Sequence, residues 1–226
     1  MHALRWRTRA ASTLAAVAFT MATTVASATA SAASTPHPIK AVAGQSVPVA
    51  QQASTADAQA LGVDYRTWQR DVAAVVAVAR PYIEQRTSNP SGEKQAIVLD
   101  IDNTSLETDF HYFWEFPTPA VKPVLDLARF ADSRGVDVFF VTARPGIIYS
   151  LTEYNLEKAG YPVSGLHVRS LPDLFDEVSD YKTGKRAEIE AKGYTIIANI
   201  GNKASDLTGG HAEKTFKLPD YDGQLS

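Results

Sequence analysis

Read for its hydrophobic and polar positions, the chain breaks into short apolar runs separated by amphipathic stretches. Ala96–Leu99 (A-I-V-L), Val136–Thr142 (V-D-V-F-F-V-T) and Tyr194–Ile200 (Y-T-I-I-A-N-I) are too short for helices, so each predicts a buried strand. The first, apolar at every position, suits a parallel strand covered on both faces. A fourth, shorter strand is expected at Leu166–Arg169. Between these runs the period changes. From Asp64 to about Arg86, Trp68, Val72, Val75, Val76, Ala79 and Ile83 recur at helical spacing, with Pro81 expected to kink or end the helix. A second helix starts near Pro119 or Ala120, turns Val124, Leu125, Leu127 and Phe130 inward and stops at Gly135. A third runs from about Ile147 to Ala159 before Gly160, and Tyr181–Arg186 precedes a short fourth helix that continues through Glu190.

The start of the chain has a different character. Residues 1–32 carry Arg5, Arg7 and Arg9 with no acid, then a small-residue apolar run from Ala11 to Ala28 and A-x-A sites, the pattern of a secretory signal peptide. Residues 33–56, rich in Ala, Ser, Pro, Gln and Val, read as a linker or loosely docked arm. Residues 57–226 remain for one catalytic core, which suits a chain of 226 residues that is 45% hydrophobic. Removing the signal leaves nineteen Lys and Arg against 25 acids, a net charge of −6, so a nucleic-acid backbone is not the expected partner. There is no cysteine, hence no disulfide framework, thiolate chemistry or lipid-modified cysteine. The expectation is an exported protein with no membrane anchor after signal removal.

The candidate chemistry sits where the apolar runs stop. Ala96–Leu99 ends in Asp100 and Asp102, at the carboxyl end of a strand, where open α/β sheets bind ligands. Period-2 alternation leans the two carboxylates to one side, one suited to attack and the other to acid/base work, and two like charges so close call for a cation. The segment D-I-D-N-T resembles the first signature of the haloacid dehalogenase-like (HAD) phosphohydrolases, D-x-D-x-T. Further resemblances follow in order. T-A-R-P at Thr142–Pro145 resembles the second signature, with Arg144 placed to reach phosphate or, the favoured reading, to pair with an acid. Y-K-T-G-K-R resembles the third, Lys182 matching best and Lys185 standing as the alternative. G-N-K-A-S-D at Gly201–Asp206 resembles the fourth, G-D-x-x-x-D, with Asn202 in place of its first acid.

Together these cover about Ala96 to Leu218 and resemble the HAD-type secreted acid phosphatases, which include plant vegetative storage proteins. The resemblance implies a three-layer, Rossmann-like α/β domain with a mainly parallel sheet, helices on both faces and a minimal cap. It implies Asp100 as nucleophile, Asp102 as general acid/base and Thr104 as a loop-shaping hydroxyl, with phosphate held by Thr142 and Lys182. Mg²⁺ would be bound by Asp100, the Asp102 carbonyl, Asn202 and Asp206, and the substrate would be a small phosphomonoester. Asn202 keeps an oxygen but brings no charge, which puts metal affinity in question. A non-catalytic storage or binding protein of the same fold, and a phosphotransferase, are the competing classes. Between the first and second signatures, Phe110, Tyr112, Phe113, Trp114 and Phe116 form an aromatic segment, read either as a stacking platform for a leaving group or as loop packing. His111 beside them is a candidate proton donor.

Overall fold

The structure, a computed structural model, describes residues 62–89, 92–112 and 114–225. The signal and arm expectations, residues 1–32 and 33–56, lie outside the described residues. Five strands form one parallel sheet: β1 (Lys94–Leu99), β2 (Asp137–Pro145), β3 (Gly165–Arg169), β4 (Tyr194–Gly201) and β5 (Thr215–Lys217), in the order β3-β2-β1-β4-β5. The helices are α1 (Tyr65–Thr87), α2 (Lys122–Ser133), α3 (Tyr149–Ala159), α4 (Val178–Ala191) and the single turn α5 (Ala204–Leu207).

Alternation along β1 sorts its side chains onto two cores. Ile97 and Leu99 join a large cluster with Trp68 and Ile83 of α1, Leu127 of α2 and Leu156 of α3. Ala96 and Val98 join a smaller one with Tyr181 and Ile189 of α4. The three-layer arrangement follows. Two crossovers step outward from β1 to β2 to β3, and the next returns past both to β4. Right-handed connections therefore put α2 and α3 on one face and α4 on the other. The direction reverses between β1 and β4, which opens a crevice at their carboxyl ends.

Three sequence expectations are corrected. Pro81 does not end α1, which continues to Thr87. It costs the bond to the carbonyl of Ala77, but both residues are exposed, so water can satisfy that oxygen while Ala79, Ile83 and Thr87 stay buried. The Y-K-T-G-K-R segment lies inside α4 rather than before it: Tyr181, Lys182, Arg186 and Ile189 form the buried face, and that packing overrides the roughly 1 kcal/mol helix penalty of Gly184. Strand β2 runs on to Pro145, because after an irregularity that follows Val141 it pairs again with Arg169 of β3. Strand β5 had no counterpart in the apolar pattern, being only three residues long with two of them exposed. Among the described residues no helix is long and apolar enough to cross a membrane.

Candidate active site

Asp100 follows directly on β1, and its N–H donates to the carbonyl of Ile200 at 3.0 Å, which ties it to β4. The chain then turns sharply: the N–H groups of Thr104, Ser105 and Leu106 all donate to the carbonyl of Ile101, and Asn103 takes a φ of 54°, which Asn tolerates better than most residues. Ser105 Oγ donates to the Asp100 carbonyl at 2.6 Å, and Thr104 Oγ1 to Asn202 Oδ1 at 3.3 Å. Thr104 is thus a loop-shaping hydroxyl that joins the first and fourth signatures.

The Asp100 carboxylate is buried, and Lys182 Nζ donates to its Oδ1 at 2.5 Å. The same ammonium donates to Asp206 Oδ1 at 2.6 Å. Burial pushes the Asp100 carboxyl up to about 6; Lys182 opposes this, and the nearby Asp206 and Asp102 charges add to it. Burial alone would lower the Lys182 pKa, but the two carboxylates outweigh it and hold it above its ordinary value. Two carboxylates sharing one ammonium leave a net negative charge in a dry place, which favours a further cation.

Asp206 is held from four directions. Its Oδ2 accepts from the Lys203 N–H at 2.8 Å, and its carbonyl accepts from Asn199 Nδ2 and Arg186 Nη1, each at 2.8 Å. A Cβ on Gly201 would stand 2.4 Å from Asp206 Cβ, so only glycine lets this side chain lie against the end of β4. Arg186 is fully buried and also donates to the carbonyls of Gly210 and Thr208 and to Thr183 Oγ1. The sequence reading did not assign it. Its position four residues after Lys182, on the same helical face, was the available signal.

Asp102 lies nearer the mouth. Arg144 donates to both of its oxygens, with Nη2 to Oδ1 at 2.7 Å, and Thr108 Oγ1 adds a bond at 2.8 Å. Burial raises the Asp102 carboxyl, yet the hydrogen bonds and charge of Arg144 outweigh it and hold the group below the usual carboxylate value. Arg144 therefore pairs with an acid, as favoured. Asp100, Asp102, Lys182, Asn202 and Asp206 line one cavity of about 350 Å³.

The other candidates differ in placement. Thr142 is buried and its hydroxyl accepts from the Arg144 N–H at 3.2 Å; its neighbour Ala143 lines the cavity. Lys185 pairs with Glu188 at 2.8 Å, so of the two lysines it is Lys182 that lines the cavity. His111 sits between Glu107 and Glu115 at 3.2 and 3.0 Å and is not among the residues lining the cavity. The aromatic segment divides. Phe110 is buried and stacks on Trp68 at 4.3 Å, whereas Tyr112 and Trp114 stack on each other at 4.4 Å with Trp114 exposed. Phe113 lies outside the described residues.

Among the described residues no three His, Asp or Glu side chains converge as a metal cage. The donors nevertheless fit a hard divalent cation in kind: the Asp100 carboxylate, the Asp102 carbonyl and Asn202 Oδ1 are oxygen ligands, and Mg²⁺ needs only one or two carboxylates beside water and substrate. Both Asp206 oxygens already accept hydrogen bonds, so it would contribute charge and its remaining lone pairs.

Comparison with known proteins agrees with this fold. The Stem 28 kDa glycoprotein of Glycine max is 34% identical over 106 residues, 45% of this chain and 42% of its own length. Acid phosphatase 1 of Solanum lycopersicum is 32% identical over 104 residues, 45% of this chain and 41% of its own length, so the chain spans less than half of each of these relatives. The class C acid phosphatase from Bacillus anthracis shares the fold, with a TM-score of 0.58 at 18% identity over 76% of this chain and 84% of that one. A family model matches residues 18–224, and on that match the chain belongs to the HAD superfamily, subfamily IIIB, the acid phosphatases.

Proposed function

We propose that this chain is an exported, Mg²⁺-dependent phosphomonoester hydrolase that works through an aspartyl-phosphate on Asp100. The observation that carries the reading is the Asp100 carboxylate itself: buried at the end of the central strand, steadied by Lys182, and lining a cavity with Asp102. An Asp100 oxygen attacks phosphorus, a new P–O bond forms, and the ester P–O bond breaks as the leaving oxygen takes a proton from Asp102. Asp102, now a carboxylate again paired with Arg144, removes a proton from water; that water attacks phosphorus and releases inorganic phosphate and free Asp100. Lys182, kept cationic by its two carboxylates, balances charge on the transferring group. Mg²⁺, when bound, would offset the repulsion between Asp100 and the phosphate dianion, with Asp100, the Asp102 carbonyl, Asn202 and Asp206 as its holders. Export is supported by the arginines, apolar run and A-x-A sites of residues 1–32.

Assaying purified protein against a panel of phosphomonoesters, with Mg²⁺ and with chelator, tests the reading. Turnover that chelator abolishes is expected, and Asp100→Asn should lose several powers of ten of it. A non-catalytic storage or binding role is the second reading. Asn202 favours it, because it removes an acid from the fourth signature, and absence of turnover on the whole panel would establish it.

A further inference from the structure

The same edge of the sheet that holds the cavity carries a second, unlike surface. In the turn after β3, Leu171 is 79% and Phe175 91% exposed, and in the turn after β2, Ile147 is 93% exposed. Leu151 and Tyr154 continue that surface along α3, where the Tyr154 ring stacks on Phe116. The two turns abut, since a Cβ on Gly146 would meet the Arg169 carbonyl at 3.3 Å and Ser170 Cα at 3.8 Å. The surface is built rather than loose. Arg169 Nη2 donates to the carbonyls of Asp173 and Asp176 at 2.6 Å each, and the Ser170 N–H donates to Asp173 Oδ2 at 2.8 Å. The turn thus satisfies its own polar groups internally while its large apolar side chains stay in solvent, a cost that soluble domains accept mainly at binding surfaces.

Chain length limits its distance from the cavity. Phe175 is three residues from Val178 and Ile147 four from Ala143, both cavity-lining residues, so neither Cα is farther than about 10–14 Å from the lining. The cavity, lined by Lys182 and Lys203 among others, would take the phosphate, and the ledge offers hydrocarbon contact. A macromolecule seated on the ledge would crowd the cavity mouth, whereas a chain running out from the bound phosphate would lie along it. We propose that this ledge binds the hydrocarbon tail of an amphipathic substrate, a medium- or long-chain alkyl phosphate monoester, and sets leaving-group preference. The inference rests on the phosphomonoesterase reading above.

The test is kcat/KM for n-alkyl phosphates from ethyl to decyl, each below its micelle concentration, on the full protein. Each added methylene should raise kcat/KM about two- to fourfold until the ledge is covered. The decyl-to-ethyl ratio should fall at least tenfold in the I147S/F175S double variant. A flat series with ethyl phosphate turned over would overturn the ledge and leave the hydrolase reading standing. Calorimetric binding of the same series to Asp100→Asn reads the ledge without turnover: Kd that tightens with chain length supports it, and Kd independent of length overturns it. A flat series accompanied by self-association, or by sedimentation with phosphatidylcholine vesicles, that the double variant abolishes would assign the ledge instead to a second copy or to a membrane.

Discussion

Asp100 and Asp102 are two residues apart and chemically identical, yet the protein treats them as opposites. Asp100 is buried and shares a single ammonium with Asp206, so its charge is only partly compensated and its carboxyl is pushed up to about 6. Asp102 stands toward the mouth with a guanidinium and a hydroxyl to itself, and its carboxyl is held low. The contrast teaches that role is assigned by partner and depth. A carboxylate left short of counter-charge gains from a bound cation and from reaction, whereas one fully paired is stable as a base and must be reprotonated to serve as an acid.

The comparison can be broken most severely at the shared ammonium. Lys182→Met leaves Asp100 and Asp206 facing each other without a cation, and stability should drop by about 3–5 kcal/mol with turnover down at least a hundredfold. Urea unfolding beside kcat/KM measures both; a loss under about 1 kcal/mol would show that the deep site is not short of charge.

Next in size is Asp102→Asn, which should cost about 10²- to 10⁴-fold with alkyl esters and much less with aryl esters, whose leaving oxygens need no proton. Rapid quenching with an aryl phosphate should then trap phosphoenzyme. Equal losses for the two ester classes, with no trapped species, would dissolve the division of labour between the aspartates.

Asn202→Asp sharpens the comparison by adding charge on the deep side. Mg²⁺ affinity should tighten about ten- to a hundredfold by calorimetry, and activity at limiting metal should rise with it. Unchanged affinity would place Asn202 out of the metal's reach and leave it a structural role that includes its tie to Thr104.

The smallest effect is expected farther out. His111 lies between Glu107 and Glu115, and Glu107 also accepts from Tyr65 and Gln69 of α1. Burial alone would lower the His111 pKa, but the two glutamates raise it above the ordinary value. A raised folded-state pKa means the stabilisation is complete below the unfolded value of about 6.5 and disappears as pH climbs through the folded one. His111→Gln should therefore cost on the order of 1 kcal/mol at pH 5 and progressively less above neutrality, read from melting at several pH values. A pH-independent difference would mean that the histidine acts only by packing.

Much of this was legible because buried strands announce themselves and polar residues at their ends stand out. Asp100, Asp102, Lys182, Asn202 and Asp206 all come together in one cavity, as the order of the signatures implied. What sequence did not disclose depends on contacts between distant segments. Sequence favoured an acid partner for Arg144 without saying which, because Asp102 is 42 residues away, and Arg186 acts on backbone carbonyls, which carry no side-chain signature. Thr142 has the residue type the second signature asks for, and its hydroxyl oxygen accepts from the Arg144 N–H of its own turn, a contact set by the irregular stretch that follows Val141. That Pro81 would not end the helix was hidden because its effect depends on which face of the helix meets water.

The bridge that Lys182 makes between Asp100, 82 residues earlier, and Asp206, 24 residues later, also bears on how the molecule assembles. Strand β4 pairs with β1 across about a hundred residues, so the segments that carry the charged cluster meet only after the slow, non-local closure of the sheet. Partly folded chains would lack the crevice altogether, and an oxyanion with affinity for it would recognise completed molecules alone. By mass action, phosphate at concentrations well above its dissociation constant would then shelter the folded protein from unfolding and proteolysis; on the proposed hydrolase reading, this would tie persistence of the protein to the abundance of its product.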